Sequence, residues 1–379
     1  MEELTFVIDI KKSGDSCKKF DGVKKYIATA DIIDDEIVGY TEVTYDNKPS
    51  RANVVAKPGD VLFAKMQNTI KVIVVDEETC NYIYSTGFYC ISDERFLPKF
   101  LKCYFMSKTF NDKKDKNCNG ATMKALSDEG FKKIKLPLIP KEIQQRIIDE
   151  YIALSASIKN KKNQINVFDE LIKSQFIEMF GDSNNSKGYP IIQVGDYCDK
   201  IQVGIVIKPS KYYVQNGGVK SFRSLNVGEL YVKDENWVEI SLEGNRENSK
   251  SILNENDVVI VRSGNPGTSC VIPKKYSGYN AIDLIIARVN QNLCNSYYLS
   301  SFTNFEHGMK QIKEGTGGAA QQHFNVSKYS KMKIFDVEKK YQDQFAAIVE
   351  QIDKSKSILQ KQIDFLQELL DSKMQEYFG

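Results

Sequence analysis

Two textures of hydrophobic patterning alternate along the chain. From residue 1 to about 137, and again from about 188 to 335, apolar residues come as short β-branched and aromatic runs, such as VLFA, IKVIVV and YIYSTGFYCI, then DVVIV, SCVI and LIIARV, broken by Gly, Asn and Asp. These runs predict mixed α/β domains dominated by short strands. Residues 98–112 and 295–312 read as helices in equivalent places of the two stretches. The other texture occupies about 140–180 and 338–378, where neither Gly nor Pro occurs between Lys141 and Phe180 or between Glu338 and Phe378. Apolar positions there alternate at spacings of four and three: Ile147, Tyr151, Leu154, Ile158, Ile165, Phe168, Ile172 and Met179, then Phe345, Val349, Ile352, Leu359, Ile363, Leu366, Leu370 and Tyr377, with Lys161, Gln175, Lys356 and Lys373 filling seam positions. The spacing is that of a coiled coil. About 40 residues at about 1.5 Å each make a rod of roughly 60 Å, too long for one domain of about 140 residues to cover. The two helices are therefore expected to pair with each other. Connectivity makes the pair antiparallel, with a similar head at each end.

The two halves are copies. Residues 118–181 align without a gap to 316–379 at an offset of 198, with 15 of the 64 pairs identical. The duplication continues upstream: KPGDVLFAK (57–65) matches NENDVVIVR (254–262) at 197, and GVKKYIA (22–28) matches GVKSFRS (218–224) at 196. A unit of half the chain is far longer than a solenoid repeat. The expected class is α+β, with two mixed α/β recognition domains (1–137 and 185–336), two spacer helices (138–184 and 337–379) and pseudo-two-fold symmetry.

Composition narrows function mainly by exclusion. With 379 residues, 41% hydrophobic and 27% charged, the chain reads as an ordinary globular protein. No stretch approaches 18 apolar residues and the N-terminus is acidic, so a cytoplasmic, membrane-free location is expected. Eight cysteines without a CxxC pair and two histidines argue against a metal site. A net charge of +2 permits nucleic-acid binding without predicting it. There is no Gly-Lys dipeptide and hence no P-loop, and Gly264-Asn265-Pro266-Gly267 lacks the second proline and aromatic of an adenine-methyltransferase box. With no nuclease pattern either, no catalytic residue is assigned.

The order head-helix-head-helix, the strands KPGDVLFAK and NENDVVIVRSGNPG, the segment IKLPLIPKEIQQRIIDEYIALSASI (134–158) and the MFGD ending at Asp182 together resemble the specificity (S) subunits of type I restriction-modification systems. The resemblance covers essentially the whole chain. Departures are a second helix that begins through KIFDVEKKYQDQF without prolines, and a first head with no evident counterpart of YPIIQVGDYCDKI (189–201). The family implies a non-catalytic subunit whose two heads each read half of a bipartite double-stranded DNA target. Its helices would set the spacing and dock two methyltransferase subunits, with nuclease-motor subunits as a further addition. No cofactor is expected on this chain; S-adenosylmethionine, ATP and magnesium would belong to partners. The alternatives are a coiled-coil scaffold that binds proteins and no DNA, or the specificity subunit of a methylation-only system.

Candidate DNA contacts follow from residue type. Arg262, Ser263 and Asn265 leave a strand into a tight turn, where Arg can grip guanine and Asn an adenine edge. Lys65, Gln67 and Asn68 are their first-half equivalents. The amide-rich loop around Gln321, Gln322 and His323, and its copy with Thr122 and Lys124, offer further base or phosphate contacts. Arg51, Lys220 and Arg223 are phosphate candidates by charge alone.

Overall fold

A computed structural model describes residues 6–7, 10–121, 123–316 and 324–379. The chain divides into two compact units, Met1–Asn163 with Gln360–Gly379, and Gln164–Leu359. Both long helices form as continuous elements, Lys141–Phe180 and Lys339–Phe378, and each contributes a half to each unit.

In the first unit a three-stranded antiparallel sheet places Val61–Ala64 between Phe88–Ile91 and Val72–Val74. A second sheet orders Asp15–Ser16, Ala52–Val55, Ile83–Ser85, Lys24–Ile27 and Thr41–Val43. The second unit repeats the plan, with Cys198–Val203, Leu284–Val289, Asp257–Val261 and Ser269–Val271 in one sheet and Tyr213–Val214, Val238–Ile240, Val219–Phe222 and Asn280–Ala281 in another. Each unit has a parallel strand pairing at the equivalent place, Ile83 opposite Tyr26 and Asn280 opposite Ser221. The central strands Val61–Ala64 and Asp257–Val261 are buried along their whole length. That is why they read as unbroken apolar runs and not as an alternation.

Two details differ from the sequence expectation. Each head helix is a pair, Pro98–Met106 with Lys108–Lys116, and Ser296–Asn304 with Glu306–Thr316. Ser107 and Phe305, which break them, are extended and occupy equivalent positions at the 198 offset. The first unit also has a short counterpart of the segment thought missing: Phe6–Val7 pairs with Leu136–Pro137 as Ile191–Gln193 pairs with Lys333–Phe335. Two residues of strand carry too little pattern to be seen in sequence.

The helix halves run antiparallel within each unit. In the first, Glu150 accepts from the Tyr377 hydroxyl at 2.8 Å and Lys161 donates to Gln362 at 2.6 Å, so one residue number rises as its partner falls. In the second, Lys356 donates to Asp169 at 2.6 Å and the rings of Phe180 and Phe345 lie 5.5 Å apart. Lys373, in the first unit, approaches Glu150 at 4.0 Å, so the three seam lysines meet polar groups across the pair. Near each C-terminal end the buried stripe leaves the 4,3 seam. Ile172, Phe176 and Phe180, and likewise Leu370, Met374 and Phe378, are buried while Met179 and Tyr377 are only half-buried. Spacing by four turns those side chains from the partner helix toward the head.

Candidate nucleic-acid interface

In both units a polar hairpin follows the central strand. In the first unit the strand ending at Ala64 leads through Lys65, Met66, Gln67 and Asn68 before the chain returns as Val72–Val74. In the second, Val261 leads through Arg262 to Thr268 before Ser269–Val271. Asn68 sits in the left-handed region (φ 55°), a conformation Asn tolerates better than most residues. In the second hairpin, glycines at 264 (φ 86°) and 267 (φ 97°) take that role.

A cation anchors the base of each hairpin. Lys65 donates to the Thr86 carbonyl at 2.9 Å and lies 4.5 Å from the Tyr89 ring centroid. Burial lowers its pKa, partly offset by Asp128. Arg262 pairs with Asp283 at 2.9 Å and donates to the Phe324 carbonyl at 3.2 Å. Both contacts tie the strand end to the turn before the neighbouring strand, Thr86 in one unit and Asp283 in the other. Arg262 is therefore largely committed to holding the turn.

Farther out, the side chains are more available. Asn68 and Asn265 lie at equivalent positions, 197 residues apart, and both are exposed. Gln67 is half-buried and donates to the Asp115 carbonyl at 3.2 Å, while its N–H bonds the carbonyl of Lys124, whose side chain is exposed. Ser263 is half-buried beside Arg262. Thus Lys65, Gln67, Asn68 and Lys124 come together in one unit, and Arg262, Ser263 and Asn265 in the other.

The remaining candidates are placed unevenly. The Arg51 side chain is exposed, and its carbonyl accepts the Thr86 N–H at 2.9 Å, which brings it to the turn that Lys65 holds. Lys220 is exposed, opposite Glu239 in the sheet and 6.0 Å from the Trp237 ring. Arg223 donates to the Asn236 carbonyl at 2.7 Å, closing a loop of its own unit. Thr122, Gln321, Gln322 and His323 lie outside the described residues.

Sequence reasoning missed the groups that hold these hairpins up. Tyr89 donates to Asp128 at 2.6 Å between Lys65 and Lys12, and Lys12 also pairs with Asp128. Lys114, 1% exposed, donates to the Thr69 carbonyl at 2.5 Å, and burial lowers its pKa. Asp115 accepts the Asn68 N–H at 3.1 Å. The lysines and acids near residue 114 gave no sequence signal that one of them is buried.

Among the described residues no group of His, Cys, Asp and Glu could hold a metal, and no helix is long and apolar enough to cross a membrane. Residues 7–167 match the family described as the type I restriction modification DNA specificity domain. The second half repeats that region's end and its central strand at offsets of 198 and 197. The first half of the chain therefore carries a type I DNA specificity domain. The chain shares its fold with one from a structure of complex assembly and conformational transition in the type I restriction-modification system, at 18% identity and a TM-score of 0.61, covering 100% of this chain and 98% of that one. The type I S subunit of M. genitalium is similar at 14% identity and a TM-score of 0.54, covering 100% and 97%. Curated proteins gave no significant match.

Proposed function

We propose that each unit reads one half of a split double-stranded DNA sequence, with Asn68 and Asn265 as the base-reading side chains and Lys65 and Arg262 as the anchors that aim them. The supporting observation is the equivalence of the two hairpins: an exposed Asn three residues beyond a tethered cation, in both units. An Asn amide can present its carbonyl acceptor beside one of its N–H donors, which matches the N6 donor and N7 acceptor of the adenine edge in the major groove. Lys124, Arg51 and Lys220 are exposed cations suited to phosphate contacts, which set affinity and its salt dependence more than sequence choice.

The chemistry then belongs to partners. Two methyltransferase subunits would dock on the helical segments, one per unit, bringing S-adenosylmethionine, and a nuclease-motor subunit would bring ATP and magnesium. The duplication supports two equivalent docking places. The two continuous helices that link the units supply the length that sets the unspecified spacer. The test is a single-molecule map of adenine methylation in the native genome with the gene intact, deleted, or carrying Asn265→Ala. Deletion should abolish methylation at a split motif of fixed spacer. The variant should relax one base of one half-site; an unchanged motif would remove Asn265 from the reading.

A further inference from the structure

Gln144 and Gln342 are one of the identities of the duplication, 198 residues apart, and both are fully buried at 0% exposure. Gln144 accepts the Leu97 N–H at 2.8 Å and donates to the carbonyls of Arg95 at 3.0 Å and Ile139 at 2.7 Å. Gln342 accepts the Asn295 N–H at 2.8 Å and donates to the carbonyls of Leu293 at 3.4 Å and Val337 at 2.7 Å. All three partners shift by the same 198. Each amide spends its acceptor and both donors on backbone groups of two separate segments.

Those segments are the ones that fix a head on its helices. Leu97 and Asn295 immediately precede the head helices Pro98–Met106 and Ser296–Asn304. Ile139 and Val337 lie just before the long helices begin at Lys141 and Lys339. On its other side the head helix meets the end of the arriving long helix: Phe378 lies 5.5 Å from Phe100 and 5.1 Å from Tyr104, and Phe180 lies 4.8 Å from Tyr298. Apolar contacts hold surfaces together without fixing their direction. Three hydrogen bonds on one planar amide do fix it, because each weakens steeply when tilted.

We infer that Gln144 and Gln342 are positioning residues that set the angle of each recognition head on its helices, and so the spacer length at which both half-sites are read together. The inference rests on the split-target reading above. A buried glutamine needed only for stability would affect all DNA alike. One that sets an angle affects the spacer and leaves the bases alone.

The test uses the complete methyltransferase complex with Gln144→Leu, Gln342→Leu and the corresponding Glu variants, assayed on duplexes that keep both half-sites and change the spacer by one base pair either way. Wild type should methylate the native spacer far faster than its neighbours. The Leu variants should lose at least tenfold of that preference with base preference intact within each half-site, and the Glu variants, which keep the acceptor for Leu97 or Asn295, should fall between. If the Leu proteins do not accumulate, the Glu pair decides alone. Retention of the wild-type spacer preference, or loss of base and spacer preference in parallel, overturns the inference. Should wild type itself methylate no split motif, the failure belongs to the split-target reading.

Discussion

The hairpin that ends in Asn68 and the one that ends in Asn265 occupy the same place in two copies of one fold, yet they are propped by different physics. Beneath the first, Lys114 and Asp115 bond the tip at the Thr69 carbonyl and the Asn68 N–H. Beneath the second, Ile312 stands where the first unit has Lys114, and with Met309 it packs against Gly267 so closely that a Cβ there would come within 2.6 Å of Ile312 and 2.8 Å of Met309. A polar prop satisfies the tip's backbone groups but buries an ammonium; an apolar prop needs a glycine. Duplicated architecture has kept an exposed Asn at the same position while its support diverged.

The comparison breaks most sharply at Gly267. Gly267→Ala should destabilise the second unit by about 2 to 4 kcal/mol, from left-handed strain and overpacking together. Ile70→Ala at the equivalent place should cost below about 1 kcal/mol, since Ile70 is exposed. Denaturant unfolding of both variants measures the contrast.

Equivalence of the readers is sharpened by Asn68→Ala and Asn265→Ala. Each should remove about 1 to 3 kcal/mol of discrimination at one base pair of a different half-site, with stability changed by no more than about 0.5 kcal/mol. Binding to systematically substituted duplexes decides it. Both variants relaxing the same half-site would contradict one reader per unit.

Transplanting the second unit's prop into the first is a smaller perturbation. Lys114→Ile leaves the Thr69 carbonyl without its ammonium partner and should cost about 2 kcal/mol. A gain in unfolding free energy would show instead that burying the ammonium costs more than its hydrogen bond returns.

An acid buried in the second unit gives a pH-dependent handle on it. Burial raises the pKa of Asp257 from 3.8 to about 6, against the opposing Asn254 N–H and Arg288. Between about pH 4 and 6 the folded state holds a proton that the unfolded chain has released. Asp257 therefore favours folding below that window, and the contribution is lost as pH rises through 6. Asp257→Asn should stabilise the second unit by about 1 to 2 kcal/mol at pH 7.5 and be nearly neutral at pH 4. A pH-independent difference in unfolding free energy would dismiss the titration.

Much of the fold was legible because its signals are local and repeated. The long helices follow from 40-residue tracts free of Gly and Pro, and the buried central strands from continuous β-branched runs. The turn at 262–267 was legible from its glycines. The break at Phe305 was not, since Phe announces no extended kink, whereas Ser107, which caps the next helix by accepting the Phe110 N–H, carried a start signal that the reading passed over; the two-residue strand Phe6–Val7 is too short for any pattern. Residue type singled out Arg262 and Arg223, but not that their guanidiniums engage Asp283 and the Asn236 carbonyl.

By itself the sequence determined the duplication, the α/β heads, the two spacer helices and the absence of catalytic motifs, because periodicity, breaker residues and internal alignment are written along one dimension. Which polar side chains stay exposed and which hold the scaffold was decided only in the folded chain. Lys114 is buried because the Thr69 carbonyl reaches it from 45 residues away, and Gln144 because Arg95 and Leu97 do from 49 and 47. Partners that distant come together only through the topology of each head. A lysine or glutamine in sequence therefore looks the same whether it will meet a base, a phosphate or a carbonyl of its own backbone.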